Sequence, residues 1–370
     1  MRIGFDAKRA VSNFTGLGNY SRYVISNLMK YYSDNIYKLF IPKLPAEDAQ
    51  GTLKNDRSMY SLKNTNTPFW RTMGIVKDIK KEHIDIYHGL SGELPFRINH
   101  TGAYSVVTIH DLIFLRFPKF YSRVDRTIYN IKAKYACKVA DKIIAVSECT
   151  KRDIVKYYRI NPEKIEVVYQ GCFPVFKEKA SDKKKQEVRG KYNLPQKYIL
   201  TVGSIEERKN VLLIVKALKK IPDIHFIAVG KKREYADRVM QYASENGLSD
   251  RVHLISDVPL IDLPAILQSA EIFIYPSLYE GFGIPIIEAL NSAVPVIGAT
   301  GSCLEEAGGP DSIYVNPHDP DELAYHVNKL LVDSETADRM VKNGLEYVKK
   351  FSDDKCINAL MSVYRSLITR

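Results

Sequence analysis

The stretch SLYEGFGIPIIEAL, Ser277–Leu290, follows the apolar run Ile272–Tyr275 and passes through two glycines into a segment with Pro285 near its start. An apolar run, a glycine turn and a proline-opened helix make the strand–turn–helix unit of a parallel α/β sheet. Gly281 and Gly283 let backbone N–H groups approach an anion closely, and the helix start adds free donors and the positive end of its dipole. The backbone of Gly281, Phe282, Gly283 and Ile284 is therefore a candidate cradle for a diphosphate. Glu288 lies about one turn inside the helix, where a carboxylate can accept two hydrogen bonds from a ribose diol. Glu280 precedes the glycines, on the other side of the phosphates, where it can accept hydrogen bonds from the hydroxyls of a sugar. A lone glutamate at a helix start is ordinarily a surface residue favoured by the dipole. Two of them bracketing the glycine turn, at Glu280 and Glu288, tip the reading toward a binding site.

Short strands alternate with helical stretches on both sides of this unit, which argues for mostly parallel sheets covered by helices on both faces. Strands are expected at Arg2–Asp6, Ile36–Ile41, Ile84–His88, Ser105–His110, Lys142–Val146 and Glu163–Tyr169, with helices at Asn19–Tyr31 and Ser122–Val139. The polar region Pro42–Thr67 reads as a mobile loop. Charge density rises through KEKASDKKKQEVRGK at Lys177–Lys191, which shows no apolar periodicity and reads as a linker. A second alternation runs from Tyr198 to Val315, and Asp321–Arg370 reads as helical. The expected fold class is thus α/β, with two Rossmann-like, doubly wound parallel-sheet domains. The expected divisions are residues 1–176, a linker at 177–196, a second domain at 197–350, and a C-terminal helix at 351–370 packing back on the first domain.

The 370 residues exceed one ordinary core and suit two domains. Hydrophobic residues at 45% and charged residues at 26% are near globular averages, which excludes a disordered or fibrous chain. No apolar stretch approaches the roughly 20 residues of a membrane span, and the N-terminus runs straight into a strand, so neither an anchor nor a signal peptide is expected. Five cysteines without a CxxC pair suggest neither a disulfide framework nor a zinc cluster. A cytoplasmic setting follows. The net charge of +11 favours an anionic partner without choosing among nucleotide, lipid phosphate and nucleic acid.

With its two glutamates, the Ser277–Leu290 segment resembles the E-x7-E signature of GT-B retaining glycosyltransferases of the mannosyltransferase-like family 4 (group 1), and the resemblance covers nearly the whole chain. It implies two domains facing a cleft, the first holding the acceptor and the second a nucleotide-sugar donor, with no bound cofactor or metal. Arg208 and Lys209, in SIEERKN after the strand that ends near Gly203, match the family's basic pair and would neutralise the leaving diphosphate. Ser204 stands where some members carry an arginine. Gly16 and Gly18, in TGLGNY at Thr15–Tyr20, resemble the family's glycine loop. The rival reading, a dinucleotide site, fails because its third glycine would fall at Ser21 and the loop from Asp6 is too long. His110 and Asp111, in VTIHDL, match the family's HD pair, which would contact the transferred sugar. Ser147 and Glu148 match a further recurring step, although Ser147 is equally good as an N-cap.

Two patterns fall to simpler explanations. Asp319-Pro320-Asp321 spells a metal-binding DxD, yet with Glu322 it makes an N-cap, an early proline and a capping-box acid. His83 and His88 have no companion ligands at metal spacing. On the helix at Ser122–Val139, Arg123, Arg126, Lys134 and Lys138 form a basic stripe, while Val124, Ile128, Ile131 and Tyr135 form the stripe expected to face the core. The basic stripe reads first as an ordinary solvated face, with peripheral docking at the anionic inner face of a membrane or to a lipid-diphosphate acceptor as the alternative. No aromatic-interleaved basic motif supports nucleic acid as a partner. The expected activity is transfer of a hexose, mannose among the candidates, from a GDP- or UDP-sugar to a glycan or lipid-linked acceptor in surface polysaccharide assembly. The alternatives are a non-catalytic nucleotide-sugar-binding module and a basic nucleic-acid-binding protein.

Overall fold

Strands apolar on both faces are buried only when helices cover both sides of their sheet, and the chain meets this condition twice. The computed structural model describes residues 1–44, 59–62 and 69–369. It divides into one unit made of Met1–Gln170 with Phe351–Arg370, and a second made of Gly171–Lys350.

In the first unit, β1 (Arg2–Asp6), β2 (Ile36–Ile41), β3 (Tyr60–Leu62), β4 (Ile86–Gly89), β5 (Tyr104–Ile109), β6 (Lys142–Ala145) and β7 (Ile165–Val167) pair in the order β3-β2-β1-β4-β5-β6-β7. Every described pairing is parallel. The connecting helices are α1 (Lys8–Ser12), α2 (Gly16–Tyr31), α3 (Ile75–Lys81), α4 (Ile113–Arg116), α5 (Arg123–Val139) and α6 (Glu148–Tyr158). Apart from Tyr60–Leu62, most of the Pro42–Thr67 loop lies outside the described residues. The segment after β1, expected to be an open loop, contains α1. Its turn into α2 is pinned by Arg22, which donates to the carbonyls of Ala10 and Asn13.

In the second unit, α7 (Asp182–Tyr192), α8 (Val211–Ala217), α9 (Tyr235–Glu245), α10 (Leu263–Leu267), α11 (Ile284–Asn291), α12 (Leu304–Gly308), α13 (Pro320–Val332) and α14 (Ser334–Tyr347) surround another parallel sheet. Its strands are β8 (Tyr198–Val202), β9 (His225–Val229), β10 (Val252–Ile255), β11 (Ile272–Tyr275), β12 (Val296–Ala299) and β13 (Ile313–Val315), in the order β10-β9-β8-β11-β12-β13. Both sheets turn direction beside their first strand, which places the βα turns of β1 and β4, and of β8 and β11, at switch points where α/β sheets bind ligands.

The last helix, α15 (Asp353–Ile368), belongs to the first unit. Its Asn358 accepts a hydrogen bond from Tyr32, and its Tyr364 is 2.6 Å from Nδ1 of the buried His88.

Two expectations need correction. Residues 177–196 are not a free linker, because α7 occupies their middle. Its lack of periodicity has a physical cause: only Val188 is buried, and the helix is held by Lys184 and Lys191, whose ammonium groups lie 2.8 and 2.7 Å from the Asp262 carboxylate. On α5 the apolar stripe expected to face the core lies outside, while the basic stripe is at the surface as expected. Ala133, Ala136 and Cys137 face the core, whereas Val124, Ile128 and Ile131 are 68%, 43% and 64% exposed. Small side chains let this helix lie close to the sheet, so its larger apolar residues end up outside.

Candidate functional site

The turn after β11 is built by three local features. Gly283, the N-cap of α11, has φ +120°, a conformation open to glycine, and a Cβ there would lie 3.0 Å from Leu304. Pro285 occupies the first turn of α11. Beneath the turn the Cys303 thiol contacts the carbonyls of Glu280 and Phe282 at 3.1 and 2.8 Å.

The βα turn of β8 lies beside it. Gly203, with φ +145°, ends β8, and the chain then runs through Glu207–Lys209 into Asn210, which adopts a left-handed conformation before α8. Asn210 donates to the carbonyls of Pro276 and Pro317, and the Leu278 amide donates to the Arg208 carbonyl. These bonds join the two switch-point turns into one surface.

Across that surface the Glu280 carboxylate meets two cations, Lys209 at 2.6 Å and Arg208 at 2.7 Å. Arg208 also reaches Glu206 at 2.8 Å and the Tyr279 carbonyl at 2.9 Å. The Lys209 ammonium donates to the Tyr275 hydroxyl and sits over its ring, 4.8 Å from the centroid. Burial pushes the Glu280 carboxyl up, but Lys209 and Arg208 outweigh it and hold it at about 2. Burial lowers the Lys209 ammonium while Glu280 opposes that shift; Arg208 is raised, Glu280 and Glu206 overcoming its burial. Glu288 is the contrasting acid. Among the described residues its carboxylate has no hydrogen-bond or ion-pair partner, and burial pushes it up to about 7. An acid strung between cations and an unpaired acid one helix turn beyond a glycine cradle form a polar, anion-ready surface.

In the first unit, Gly16 and Gly18 lie in the first turn of α2. Asn13 accepts from the amides of Thr15 and Gly18 and so does the capping that Thr15 does not. A Cβ at Gly18 would come within 1.7 Å of the Asn13 carbonyl, whereas one at Gly16 would meet nothing within 4 Å. His110 follows β5, its Nε2 2.9 Å from the Leu90 carbonyl and its ring edge-on to Tyr20 at 4.6 Å. A carbonyl only accepts, so Nε2 carries the proton and Nδ1 is left as an acceptor. Burial holds this imidazole down at about 4, keeping it neutral. His110 and Asp111 line a cavity of about 260 Å³ together with Arg9, Glu93, Tyr129 and Lys132. One Asp111 oxygen accepts from the Ile113 amide and starts α4.

The structure thus brings Arg208, Lys209 and Glu280 together and places Gly281–Ile284 and Glu288 beside them. His110, Asp111, Gly16 and Gly18 gather in the other unit. Ser147 caps α6, and Asp319 caps α13 by accepting from Asp321 and Glu322, as the simpler reading of each has it. Tyr275, Glu206, Cys303 and Tyr20 were not singled out in the sequence; an aromatic at a strand end before a glycine turn was the available signal for Tyr275.

Residues 38–172 match the family described as Glycosyltransferase Family 4, and residues 182–347 match Glycosyl transferases group 1. The chain belongs to the group 1, family 4 glycosyltransferases. This glycosyltransferase is 28% identical over 289 residues to the O-antigen chain mannosyltransferase B of Escherichia coli, spanning 76% of this chain and 74% of that one. It is 30% identical over 214 residues to the O-antigen chain mannosyltransferase RfbU of Salmonella typhimurium, covering 58% of this chain and 57% of that one. Among solved structures, HepE of Anabaena in complex with UDP-glucose superposes with a TM-score of 0.77 at 18% identity, covering 99% of this chain and 100% of that one. That likeness carries the two-domain GT-B fold.

Proposed function

We propose that this glycosyltransferase moves a hexose from a GDP- or UDP-sugar to a glycan or lipid-linked glycan, in the cytoplasm, during assembly of surface polysaccharide. The named relatives support mannose and a polysaccharide product, and the nucleotide bound by HepE supports a nucleoside-diphosphate donor.

The observation that carries the reading is the cluster of Arg208 and Lys209 on Glu280, beside the glycine cradle of α11. The donor diphosphate lies on the backbone of Gly281–Ile284, with its ribose diol on Glu288. Arg208 and Lys209 neutralise the charge that builds on the departing phosphate, work done by a divalent cation in other transferases. Glu280 holds both cations and faces the sugar hydroxyls. In the first unit, the Nδ1 acceptor of His110 is set to take a hydrogen bond from a substrate hydroxyl, in the cavity that Asp111 also lines.

We take the stereochemistry to be retention at the anomeric carbon, as the family resemblance implies, and the state of Glu280 bears on its route. A carboxylate held at about 2 between two cations is a weak nucleophile, which supports attack on the donor's own face over a double displacement. The acceptor oxygen bonds to the anomeric carbon as the bond to the phosphate oxygen breaks, and the acceptor's proton passes to that departing oxygen.

The test is transfer of labelled hexose from GDP-mannose and UDP-glucose to a lipid extract and to free mannosides. Transfer by the wild type and its loss in Glu280→Gln support the reading. Tight donor binding with no transfer to any acceptor overturns it in favour of a non-catalytic binding module.

A further inference from the structure

A second cavity of the first unit, about 180 Å³, shares Glu93 and Lys132 with the one that His110 lines, so the two adjoin along these side chains. Its lining is divided by chemistry. Pro95, Phe96, Ile131 and Tyr135 make one part apolar. The rest is an ion cluster in which Arg71 donates to Asp6 at 2.7 Å and to Glu93 at 2.8 Å, while Lys132 lies 3.2 Å from the same Glu93 oxygen.

The aromatic part is fixed from several directions. Tyr135 covers one face of Phe96, with ring centroids 5.0 Å apart and planes 14° from parallel. The Tyr135 hydroxyl accepts from the Arg97 amide at 3.1 Å, and the Phe96 amide donates to the Thr72 carbonyl at 2.6 Å. Beyond Phe96 the chain turns at Arg97, whose φ of +63° is a conformation that non-glycine residues seldom adopt. Phe96 still keeps 52% of its surface exposed. A large ring held in place and half in solvent is a stacking surface that loses little freedom when a ligand lands on it.

The polar part limits what can stack there. Arg71 and Lys132 are already on carboxylates, and with Asp6 and Glu93 they leave the cluster without net charge, so an anionic ligand finds no free cation in it. Among the described residues the second oxygen of Glu93, Oε1, has no hydrogen-bond partner, and it can accept from a neutral hydroxyl. An aromatic face beside such an acceptor suits a neutral sugar, whose C–H face packs on the ring while its hydroxyls reach the carboxylate. We propose that this cavity binds the second sugar of the acceptor, a neutral hexose, while the acceptor's terminal sugar occupies the adjoining cavity of His110. The enzyme then extends chains of at least two sugars rather than starting from one. Calling these sugars an acceptor rests on the transfer reaction proposed above; the affinity of the paired cavities for a neutral disaccharide does not.

Saturation-transfer NMR on the full chain decides it, using methyl glycosides of mannose, glucose and galactose and the disaccharides made by linking each to itself. At least one disaccharide should bind roughly fivefold or more tightly than its monosaccharide, with saturation reaching the C–H protons of both units. A disaccharide whose reducing-end unit is glucuronic acid should bind several-fold more weakly. Phe96→Ala should bring the ratio of the two affinities close to one, and Phe96→Tyr, which keeps the ring, should restore it. The position is half-exposed, so thermal melts of both variants should stay near wild type, and the saturation pattern reads the site in the wild type without any variant. Equal affinity for mono- and disaccharides, binding of none of them, or a second sugar that receives no saturation overturns the proposal. So does an acidic disaccharide bound as well as a neutral one, or a ratio that survives Phe96→Ala. Hexose transfer to the same sugars is measured separately. Disaccharide preference without transfer leaves the cavity's ligand standing and counts against the transferase reading, whereas transfer with equal affinity for one and two sugars keeps that reading and sinks the second cavity.

Discussion

The Glu280 carboxylate lies 2.6 Å from the Lys209 ammonium, closing an ion cluster between residues that sit after β11 and after β8. Arg208 shares the same carboxylate oxygen, and the three side chains are only 12–16% exposed. Removing one partner of such a cluster strands the others, so Glu280→Gln should cost about 2–4 kcal/mol of stability in urea titrations. The pH dependence has a definite sign. The folded value of about 2 lies below the ordinary 4.5, so the contribution is full above about pH 4.5 and fades as pH falls toward 2. Glu280→Gln should therefore lose most of its deficit relative to wild type in acid; a deficit independent of pH would mean that the glutamate acts by packing.

Glu288 gives the opposite sign. Its folded value of about 7 lies above the ordinary 4.5, so the empty folded protein takes up a proton that the unfolded chain lacks. Stability from this group therefore falls as pH rises from about 4.5, with the loss complete above about 7. Glu288→Gln should stabilise the empty protein by about 1–2 kcal/mol at pH 8 and by much less at pH 5. If the ionised carboxylate receives a ribose diol, nucleoside diphosphate should bind more weakly at pH 6 than at pH 8, with proton release visible in calorimetry run in two buffers. Glu288→Gln should flatten that dependence.

The two glycines of the α2 loop make a contrast that separates space from conformation. Neither has a positive φ, yet a Cβ at Gly18 would overlap the Asn13 carbonyl while one at Gly16 meets open space. Gly18→Ala should cost about 1–3 kcal/mol because backbone cannot yield as a flexible side chain can. Gly16→Ala should be neutral or stabilising by about 0.5–1 kcal/mol, the usual gain from replacing glycine in a helix. Thermal melts of both variants give the comparison.

What could be read in the sequence follows the range of the forces. Strands with short apolar runs, β1, β2 and β11, are legible to the residue because their largely buried runs leave little polar alternative. The phosphate turn is legible because its glycines and proline act locally. The core face of α5 is not. Spacing shows that a row of apolar residues exists, but here the sheet is covered by the small Ala133, Ala136 and Cys137, and that choice is made by packing distance. α7 is hidden for the related reason that it is tethered through Asp262, some seventy residues away, rather than through an apolar face. The pairing of Glu280 with Arg208 and Lys209 likewise depends on β8 lying next to β11, which chain order conceals.

Such a long-range assembly also surrounds His110. Tyr20 meets its ring edge-on, and the Tyr20 hydroxyl is 3.0 Å from Thr108 Oγ1, which in turn is 2.8 Å from His88 Nε2. Tyr364 of α15 closes the chain at His88 Nδ1. Tyr20→Phe keeps the ring against His110 and removes only the hydroxyl, so it should cost about 1–3 kcal/mol of stability and leave turnover near wild type. Tyr20→Leu removes the ring that fixes the imidazole plane. It should lower kcat by roughly tenfold with little change in donor KM, because a misplaced acceptor affects the reacting geometry more than nucleotide binding. Nitrogen-15 spectra of the imidazole supply the independent readout. In wild type and Tyr20→Phe, His110 should show one neutral tautomer protonated at Nε2 down to about pH 5, as expected for a group held at about 4 by burial. In Tyr20→Leu the tautomers should mix and protonation should begin nearer neutrality. An unchanged spectrum alongside reduced kcat would mean that Tyr20 acts on the reaction by another route.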